Sequence, residues 1–454
     1  MTNEPLVTIY ILNHNYQDYL KQCLDSALKQ TYKNIELFVI DDGSTDDSST
    51  ILAEYELKVG LTVYRQKNLG LVASIRKAFS IAKGDYVIRI DADDWVTEDF
   101  IELLVQRALN KNAAIVFPDY IEVDADSNLL HRVSRFDFEN EVQVYDTPAH
   151  GACTLVEKKA YLDIGGHLEG IVCQDGVDLW LSMTEAHKVT NLNKPLFYYR
   201  QHSASITQNN AMILKNRVAI FSHHAHKRIG YHKVAGVILL RSDLCLEFYL
   251  QEDVVYLLDQ VIKNFNSSTT INDIFIVCDN PMASVAKKVV KNFSKTCQIH
   301  TLPLLSNLDK KLRIEDILKK LSKNEIFDTF DCMISQSIYF PLIRPAYIDL
   351  ATYTALIHGF IIVETVVENN DVVYRHDGTG LIEISDPSER QERLSLYVRN
   401  GGITCYLKND NYKKNNLGKG HVVIDRHASF YVGNLTDLAI AKIILEQVIH
   451  YEKN

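Results

Sequence analysis

The amino-terminal part of the chain alternates between two hydrophobic periods. Residues 6–12 form an apolar run, residues 19–30 carry apolar side chains at helical spacing, and residues 35–40 form a second apolar run that stops abruptly at Asp41, Asp42, Gly43 and Ser44. Strand, helix and strand in that order predict a βαβ unit. A helix after Ser48, a strand over 61–64, a helix over 72–82 and a strand over 86–90 continue the alternation, so a parallel, doubly wound sheet is the simplest architecture. Acidic residues follow two of these strands, Asp41 with Asp42 and Asp91 with Asp93 and Asp94. Open α/β sheets place their ligands at such carboxyl ends.

The pattern is irregular from about residue 95 to 207, and residues 209–227 read as a polar helix bearing His223, His224 and His226. Those histidines predict a solvated helix face rather than a metal site. A second alternation opens with a strand over 234–240 and continues through a helix over 254–264, a strand over 274–278, a helix over 283–293 and a closing helix over 435–450, with residues 267–270 as a loop. The expected organisation is therefore α/β, two Rossmann-like domains with mixed or parallel sheets: residues 1–207, a helical connector over 208–230, and residues 231–454.

At 454 residues the chain is too long for one ordinary core, and 46% hydrophobic with 23% charged residues excludes extensive disorder. Lys and Arg number 48 against 58 Asp and Glu, a net charge of −10. No global positive field draws in a polyanion, so nucleic acid is not an expected partner; a local basic patch leaves peripheral contact with the inner face of a membrane open. The chain enters its first strand without a charged and then apolar leader, so no signal peptide is expected. The longest apolar runs, 234–240 and 356–367, fall short of the ~20 residues that cross a bilayer. Eight cysteines are scattered without a CxxC pair, which predicts free thiols in a reducing compartment, the cytoplasm.

Asp91, Asp93 and Asp94 put three carboxylates within four positions. Hard oxygen ligands suit Mg²⁺ or Mn²⁺, which bind through one or two carboxylates plus substrate phosphates, so the cluster predicts a divalent-metal and diphosphate site. The same residues also read as an acidic strand-end turn, with Asp94 capping the next helix. Asp41 and Asp42 suit a nucleoside pocket, since a carboxylate accepts from a base N–H and Gly43 lets the backbone turn close to a ligand. A helix N-cap at Ser44 or Thr45 is the other reading.

Three segments, from Pro5 to Asn15, from Ser26 to Asp46 and from Gly84 to Asp94, resemble family 2 glycosyltransferases of the GT-A fold, and the likeness extends over about residues 5–207. It implies an inverting, metal-dependent transferase that moves a sugar from a nucleotide-sugar, in the first place a UDP-sugar, to a hydroxyl of a glycan or lipid-linked acceptor in surface polysaccharide or glycoconjugate assembly. By the same resemblance Asp42 serves the base with His14 beside it, Asp41, Arg76 and Asp91 complete the nucleotide side, and Asp91, Asp93 and His202 serve the metal. His14 departs from the family's usual Tyr or Phe, and Leu12-Asn13 stands in place of Pro-Thr, which leaves the base open.

Cys173-Gln-Asp-Gly-Val-Asp-Leu-Trp180 resembles the family's Glu-Asp segment, with Gln174 in the Glu position and Asp175 as the general base. Direct displacement at an anomeric carbon needs a base within hydrogen-bond reach of the acceptor hydroxyl. Asp175 also reads as an N-cap, and Asp178 as a first-turn acid. The segment Tyr198 to His202, followed by Ser205, resembles the family's closing motif, with His202 directed to the diphosphate or metal and Arg200 to a phosphate. His150-Gly151 resembles the acceptor-side loop, a plain loop being the alternative.

The second half resembles cytidylyltransferases of the CMP-sialic acid synthetase type, through the segments beginning at Arg390 and Tyr397, residues 422–426, Ser429 and residues 437–441. It departs from them where chemistry would reside: residues 242–248 contain no glycine or lysine to cradle a triphosphate, and the closing acidic pair falls on Tyr431 and Gly433. The expectation is a domain that keeps the fold without transfer chemistry and serves docking or homodimerisation. Two rivals stand beside it. One is a bifunctional protein that also makes a CMP-nonulosonate; the other is a non-catalytic glycan-binding or scaffold protein, against which Asp42, Asp91, Asp93 and Asp175 speak.

Overall fold

The computed structural model describes residues 4–134, 151–202, 209–242, 251–290, 297–301, 312–369, 374–376, 381–383, 396–412 and 419–451. The chain divides into two units, Met1–Ile220 with Val372–Leu394, and Phe221–Asp371 with Ser395–Asn454.

In the first unit, β1 (Val7–Asn13), α1 (Gln17–Leu28), β2 (Ile35–Asp41), α2 (Ser48–Val59), β3 (Thr62–Arg65), α3 (Leu71–Ile81) and β4 (Tyr86–Asp91) follow the alternation read from the sequence. β1 pairs in parallel with both β2 and β4, and β2 with β3, giving the order β3-β2-β1-β4. The chain winds outward from β1 to β3 and then returns to the other side of β1. The order reverses between β1 and β4, and His14 and Asp91 stand at their carboxyl ends, where open α/β sheets place ligands.

Alternate residues of these strands feed two cores. Val7, Ile9 and Ile11 pack with Ile88, Ile90 and Leu20, Leu24 and Leu52 of α1 and α2, whereas Tyr10, Leu12, Phe38 and Ile40 meet Ile75, Ala78 and Phe79 of α3. Because both faces are covered, both faces must be apolar, and the strands read as unbroken hydrophobic runs.

The rest of the unit is β5 (Trp95–Val96), α4 (Phe100–Lys111), β6 (Ile115–Val123), β7 (Leu129–Val133), β8 (Leu155–Glu157), α5 (Lys158–Asp163), α6 (Asp175–Ala186) and β9 (Val189–Arg200). β8 runs antiparallel between β4 and β6, β6 is parallel to β9, and β5 is antiparallel to β9. The sheet is thus mixed rather than wholly parallel, and the stretch that looks irregular in sequence is largely regular. Two features disguise it. Pro118 and Pro195 lie inside β6 and β9, whose pairing shifts register beside Pro118, and the buried Asp119 and Arg200 break the hydrophobic pattern.

The boundary between the units falls inside α7 (Asn210–Ile229). His223 and His226 are exposed on it as expected, but His224 is fully buried. The second unit contains β10 (Val234–Leu240), β11 (Asp273–Cys278), β12 (Cys297–Thr301), β13 (Cys332–Gln336) and β14 (Ile362–Asn369). β15 (Tyr374–His376) and β16 (Leu381–Glu383), which belong to the first unit, form a separate two-stranded sheet, and the second unit resumes with β17 (Leu396–Leu407) and β18 (Lys419–Val423). The larger sheet has the order β12-β11-β10-β13-β17-β14-β18, parallel as far as β13 and mixed beyond it. The helix Pro345–His358 is buried along nearly its whole length.

Tyr431 packs its ring against Tyr339 and Phe340, and the Gly433 N–H donates to Asp437 Oδ2 at 3.0 Å. Ser242 donates through its N–H and hydroxyl to Asp279 Oδ2. Residues 243–248 and Arg390 lie outside the described residues. Cys23, Cys153, Cys173, Cys332 and Cys405 are free thiols and buried, and Cys278 is buried as well. Among the described residues, no helix is long and apolar enough to cross a membrane.

Residues 268–270, a loop by sequence, close on the buried carboxylate of Asp349. It accepts from the hydroxyls of Ser268 (2.5 Å), Thr269 (2.9 Å) and Thr270 (3.0 Å) and from the N–H groups of Thr269 and Thr270. Asp349→Ala should strand these donors and destabilise the second unit by about 3 kcal/mol, since each buried unpaired group costs roughly 1–3 kcal/mol. Urea unfolding followed by circular dichroism checks this; an unchanged transition excludes the role.

Candidate active site

β1 and β2 end in register, with Asn13 opposite Asp41. Asn13 Nδ2 donates to Asp41 Oδ1 (3.0 Å) and to Ser44 Oγ (2.9 Å), while Ser44 Oγ donates to the same Asp41 oxygen at 2.5 Å. The buried Asp41 therefore ties the strand ends together. Gly43 follows at φ +76°, where a Cβ would meet the Asn68 backbone nitrogen at 2.7 Å. Neither Ser44 nor Thr45 is a helix N-cap, that of α2 being Asp47; Asp46 accepts from Gln17 N (2.9 Å) and Ser48 N (3.0 Å) at the starts of α1 and α2.

Asp42 organises the loop facing this turn. Its Oδ1 accepts from Gln66 Nε2 (2.7 Å) and Leu69 N (2.8 Å), and its Oδ2 from Gly70 N (2.9 Å). A carboxylate has about four acceptor sites, so capacity for one further donor is left. His14 Nδ1 lies 2.9 Å from the Asp42 carbonyl oxygen, which makes Nδ1 the protonated nitrogen and leaves Nε2 to accept from Asn68 Nδ2 at 3.1 Å. His14 and Asp42 are thus brought together, as expected.

At the end of β4 a residue that sequence reasoning passed over becomes central. The side chain of Arg89 is almost wholly buried, its Nε 3.0 Å from Asp91 Oδ1 and its Nη1 3.1 Å from Asp175 Oδ2. These are ion pairs rather than aligned hydrogen bonds. Burial works against the Arg89 charge, but Asp175 and Asp91 outweigh it and hold the cation. The signal was present in sequence: an arginine inside the otherwise apolar Tyr86-Val-Ile-Arg-Ile.

Burial pushes the Asp91 carboxyl up to about 6, with Arg89 opposing and Asp93 and Asp175 adding to the rise. Asp94 is buried and driven well above the usual carboxylate range by that burial and by Asp93 and Asp91. Its Oδ1 accepts from Arg200 N (2.9 Å), while Oδ2 is buried without a hydrogen-bond partner among the described residues. Asp94 therefore anchors the end of β9 and does not cap a helix.

His202 Nε2 lies 2.9 Å from Asp93 Oδ2, and the ring packs against Tyr16 and Tyr19. Arg200, read as a phosphate ligand, is fully buried between Tyr19 and Trp95. Its guanidinium donates to the carbonyls of Asp93, Asp124 and Ala125, to Ser127 Oγ and to Gln22 Oε1. It braces the acidic turn from beneath.

Asp175 begins α6, immediately after Gln174 in a left-handed conformation (φ 65°, ψ 29°). Such backbone costs roughly 1–2 kcal/mol for a residue with a Cβ, so the surroundings must impose it. Gly151 lies against the carboxylate, and a Cβ there would come within 2.1 Å of Asp175 Oδ2. Asp178 accepts from Leu168 N (2.7 Å), and Arg76 reaches the same segment, donating to the His167 carbonyl (2.5 Å) and to Glu169 (2.7 Å). The structure thus ties Arg76 to the 167–169 loop. His150 and Ser205 lie outside the described residues.

Among the described residues, no three His, Cys, Asp or Glu side chains converge as a ready-made metal cage. Asp93 and His202 are adjacent, and the crowded carboxylates raise one another, which a cation would relieve. That donor set fits a hard divalent ion taking one or two protein ligands and completing its shell with phosphate oxygens.

Residues 8–165 match the family model described as Glycosyl transferase family 2. The chain is 29% identical over 253 residues to the glycosyltransferase GlyG of Streptococcus pneumoniae, covering 51% of this chain and 82% of that protein. It is 28% identical over 218 residues to GlyA of the same organism, covering 44% of this chain and only 31% of that protein. Among solved structures, Staphylococcus aureus TarS 1–349 in complex with UDP-GlcNAc aligns at 15% identity and a TM-score of 0.42, over 48% of this chain and 66% of that one.

Gly151→Ala must displace the Asp175 carboxylate. Transfer should fall about 10²-fold, the scale of a 1 Å misplacement, with donor affinity retained. Steady-state kinetics alongside donor titration calorimetry checks this, and unaltered turnover would show that the contact is immaterial.

Proposed function

We propose that the family 2 glycosyltransferase domain of this chain transfers a sugar, with inversion, from a nucleotide-sugar, a UDP-sugar first, to a hydroxyl of a glycan or lipid-linked acceptor in surface polysaccharide assembly. One observation carries the reading: Asp91 at the end of β4 and Asp175 at the start of α6 both contact the Arg89 guanidinium, at 3.0 and 3.1 Å. A donor-side carboxylate and a candidate base are thereby held on one cation, near the point where the strand order reverses.

In this mechanism the acceptor hydroxyl gives its proton to Asp175 as its oxygen attacks the anomeric carbon. The bond from that carbon to the diphosphate oxygen breaks, and its electron pair leaves with the nucleotide. Asp93 and His202, with Asp91, would hold Mg²⁺ or Mn²⁺, which when bound stabilises the negative charge developing on the diphosphate. Arg89 pairs with Asp175 and keeps it oriented before attack. Asp42, with one acceptor site in reserve, would take a base N–H, and the Nε2 of His14 faces the same side with Asn68.

The second unit is proposed to be non-catalytic, serving docking or self-association. The packing of Tyr431 and the hydrogen bond of Gly433, where metal-binding carboxylates would be required, support this reading.

Asp93→Ala should abolish metal-dependent transfer from UDP-sugars while leaving the unfolding curve unchanged; full turnover in this variant, or with excess chelator, would overturn the metal assignment. Asp175→Asn should lose roughly 10²- to 10⁴-fold in kcat with donor affinity retained, the usual range for a general base. Normal kcat with impaired donor binding would reduce Asp175 to a structural cap. No transfer or donor hydrolysis by the wild type, despite tight glycan binding, would favour a binding protein.

A further inference from the structure

Gln174 stands in the left-handed region directly before Asp175, and its carbonyl accepts the first hydrogen bonds of α6, from Val177 N (3.1 Å) and Asp178 N (3.2 Å). The direction of the first helical turn, and with it that of the Asp175 side chain, follows from this one conformation. Left to itself, a glutamine would leave it for the right-handed or extended regions.

Three successive residues of the turn touch α7, beyond residues 8–165. Val172 N donates to Asn216 Oδ1 at 2.8 Å, and Asn216 Nδ2 donates to the Met212 carbonyl at 2.8 Å, fixing the amide. Cys173 is buried, with its Sγ 4.0 Å from that same carbonyl. Gln174 Oε1 accepts from both Nε (3.2 Å) and Nη2 (2.8 Å) of Arg217. On its other side the Asp175 carboxylate is confined by Gly151 and paired with Arg89. The side chain thus has little room to correct an error in the backbone that carries it.

We propose that Asn216 and Arg217 of α7 are positioning residues that hold the 172–174 turn and so aim Asp175 at the acceptor hydroxyl; this rests on reading Asp175 as the general base. α7 is then an arm of the catalytic apparatus as well as a connector. The glutamine at position 174 has a reason of its own, since its amide oxygen is the acceptor that lets a cation on α7 fasten a left-handed residue.

The test uses the full chain in five forms: wild type, Arg217→Met, Arg217→Lys, Gln174→Ala and Gln174→Gly. Measurements are kcat, donor KM and the alkylation rate of Cys173, read by peptide mass spectrometry. Arg217→Met should lower kcat roughly 10- to 100-fold, the scale of a small misplacement of a reacting group, with donor KM unchanged and Cys173 alkylated faster. Arg217→Lys, which can still donate to the amide oxygen, should recover part of both. Gln174→Gly should retain more kcat than Gln174→Ala, because both lose the acceptor but only glycine holds positive φ without strain.

Wild-type kcat and alkylation in Arg217→Met, or a glycine variant no better than the alanine variant, would overturn the proposal. If Arg217→Met does not fold, the Gln174 pair carries the test alone. Asp175→Asn run in parallel separates the two claims. Normal transfer there removes the base reading, whereas faster Cys173 alkylation in Arg217→Met reports the hold on the turn independently of chemistry.

Discussion

Four carboxylates, those of Asp91, Asp93, Asp94 and Asp175, gather at the end of β4 and the start of α6, largely out of water. Two like charges 4 Å apart repel by about 4 kcal/mol even at an effective dielectric constant of 20, so the cluster is tenable only with compensation. Arg89 supplies it within the sheet and Arg200 through the Asp93 carbonyl and the Asp94 carboxylate, while His202 Nε2 lies within hydrogen-bond distance of Asp93. Much of the unit's construction follows. β9 ends where Asp94 can receive its N–H, β5 pairs with β9 so that Trp95 lies against the Arg200 guanidinium, and the turn between β6 and β7 turns its carbonyls to the same group.

Compensation is incomplete by design of the same geometry. Asp91 remains pushed up, and Asp94 retains a buried oxygen without a partner among the described residues, so the cluster gains from any added cation. The two sides of the proposed site differ in how they are built. The nucleotide side rests on the ends of paired strands, where register fixes Asn13 against Asp41. The acceptor side rests on a strained turn, held by side chains from elsewhere in the chain.

In the second unit the strands and the helix Pro345–His358 bury a core, and Asp349 secures a loop by hydrogen bonds. Ser242 is tied to Asp279 at the carboxyl ends of β10 and β11.

The sequence by itself determined the alternation of the first 91 residues, because a sheet covered on both faces needs unbroken apolar strands and the helices between them need an apolar stripe. It also marked Asp42, Asp91 and Asp93 as chemistry, since carboxylates at strand ends stand out against such runs, and Asp175 through the resemblance of its segment to the family's motif. It did not disclose β6 to β9, whose prolines and buried charges mimic irregular chain, nor the antiparallel entry of β8 beside β4. Roles that depend on partners far along the chain were beyond it. Arg89 and Asp175 are 86 positions apart, Arg200 meets Gln22 across 178, and Arg217 meets Gln174 across 43. Local pattern records what a residue prefers, whereas only the tertiary structure decides which charge it neutralises. Arg200 therefore became a buried brace rather than a phosphate ligand, and Arg76 a clasp on the 167–169 loop.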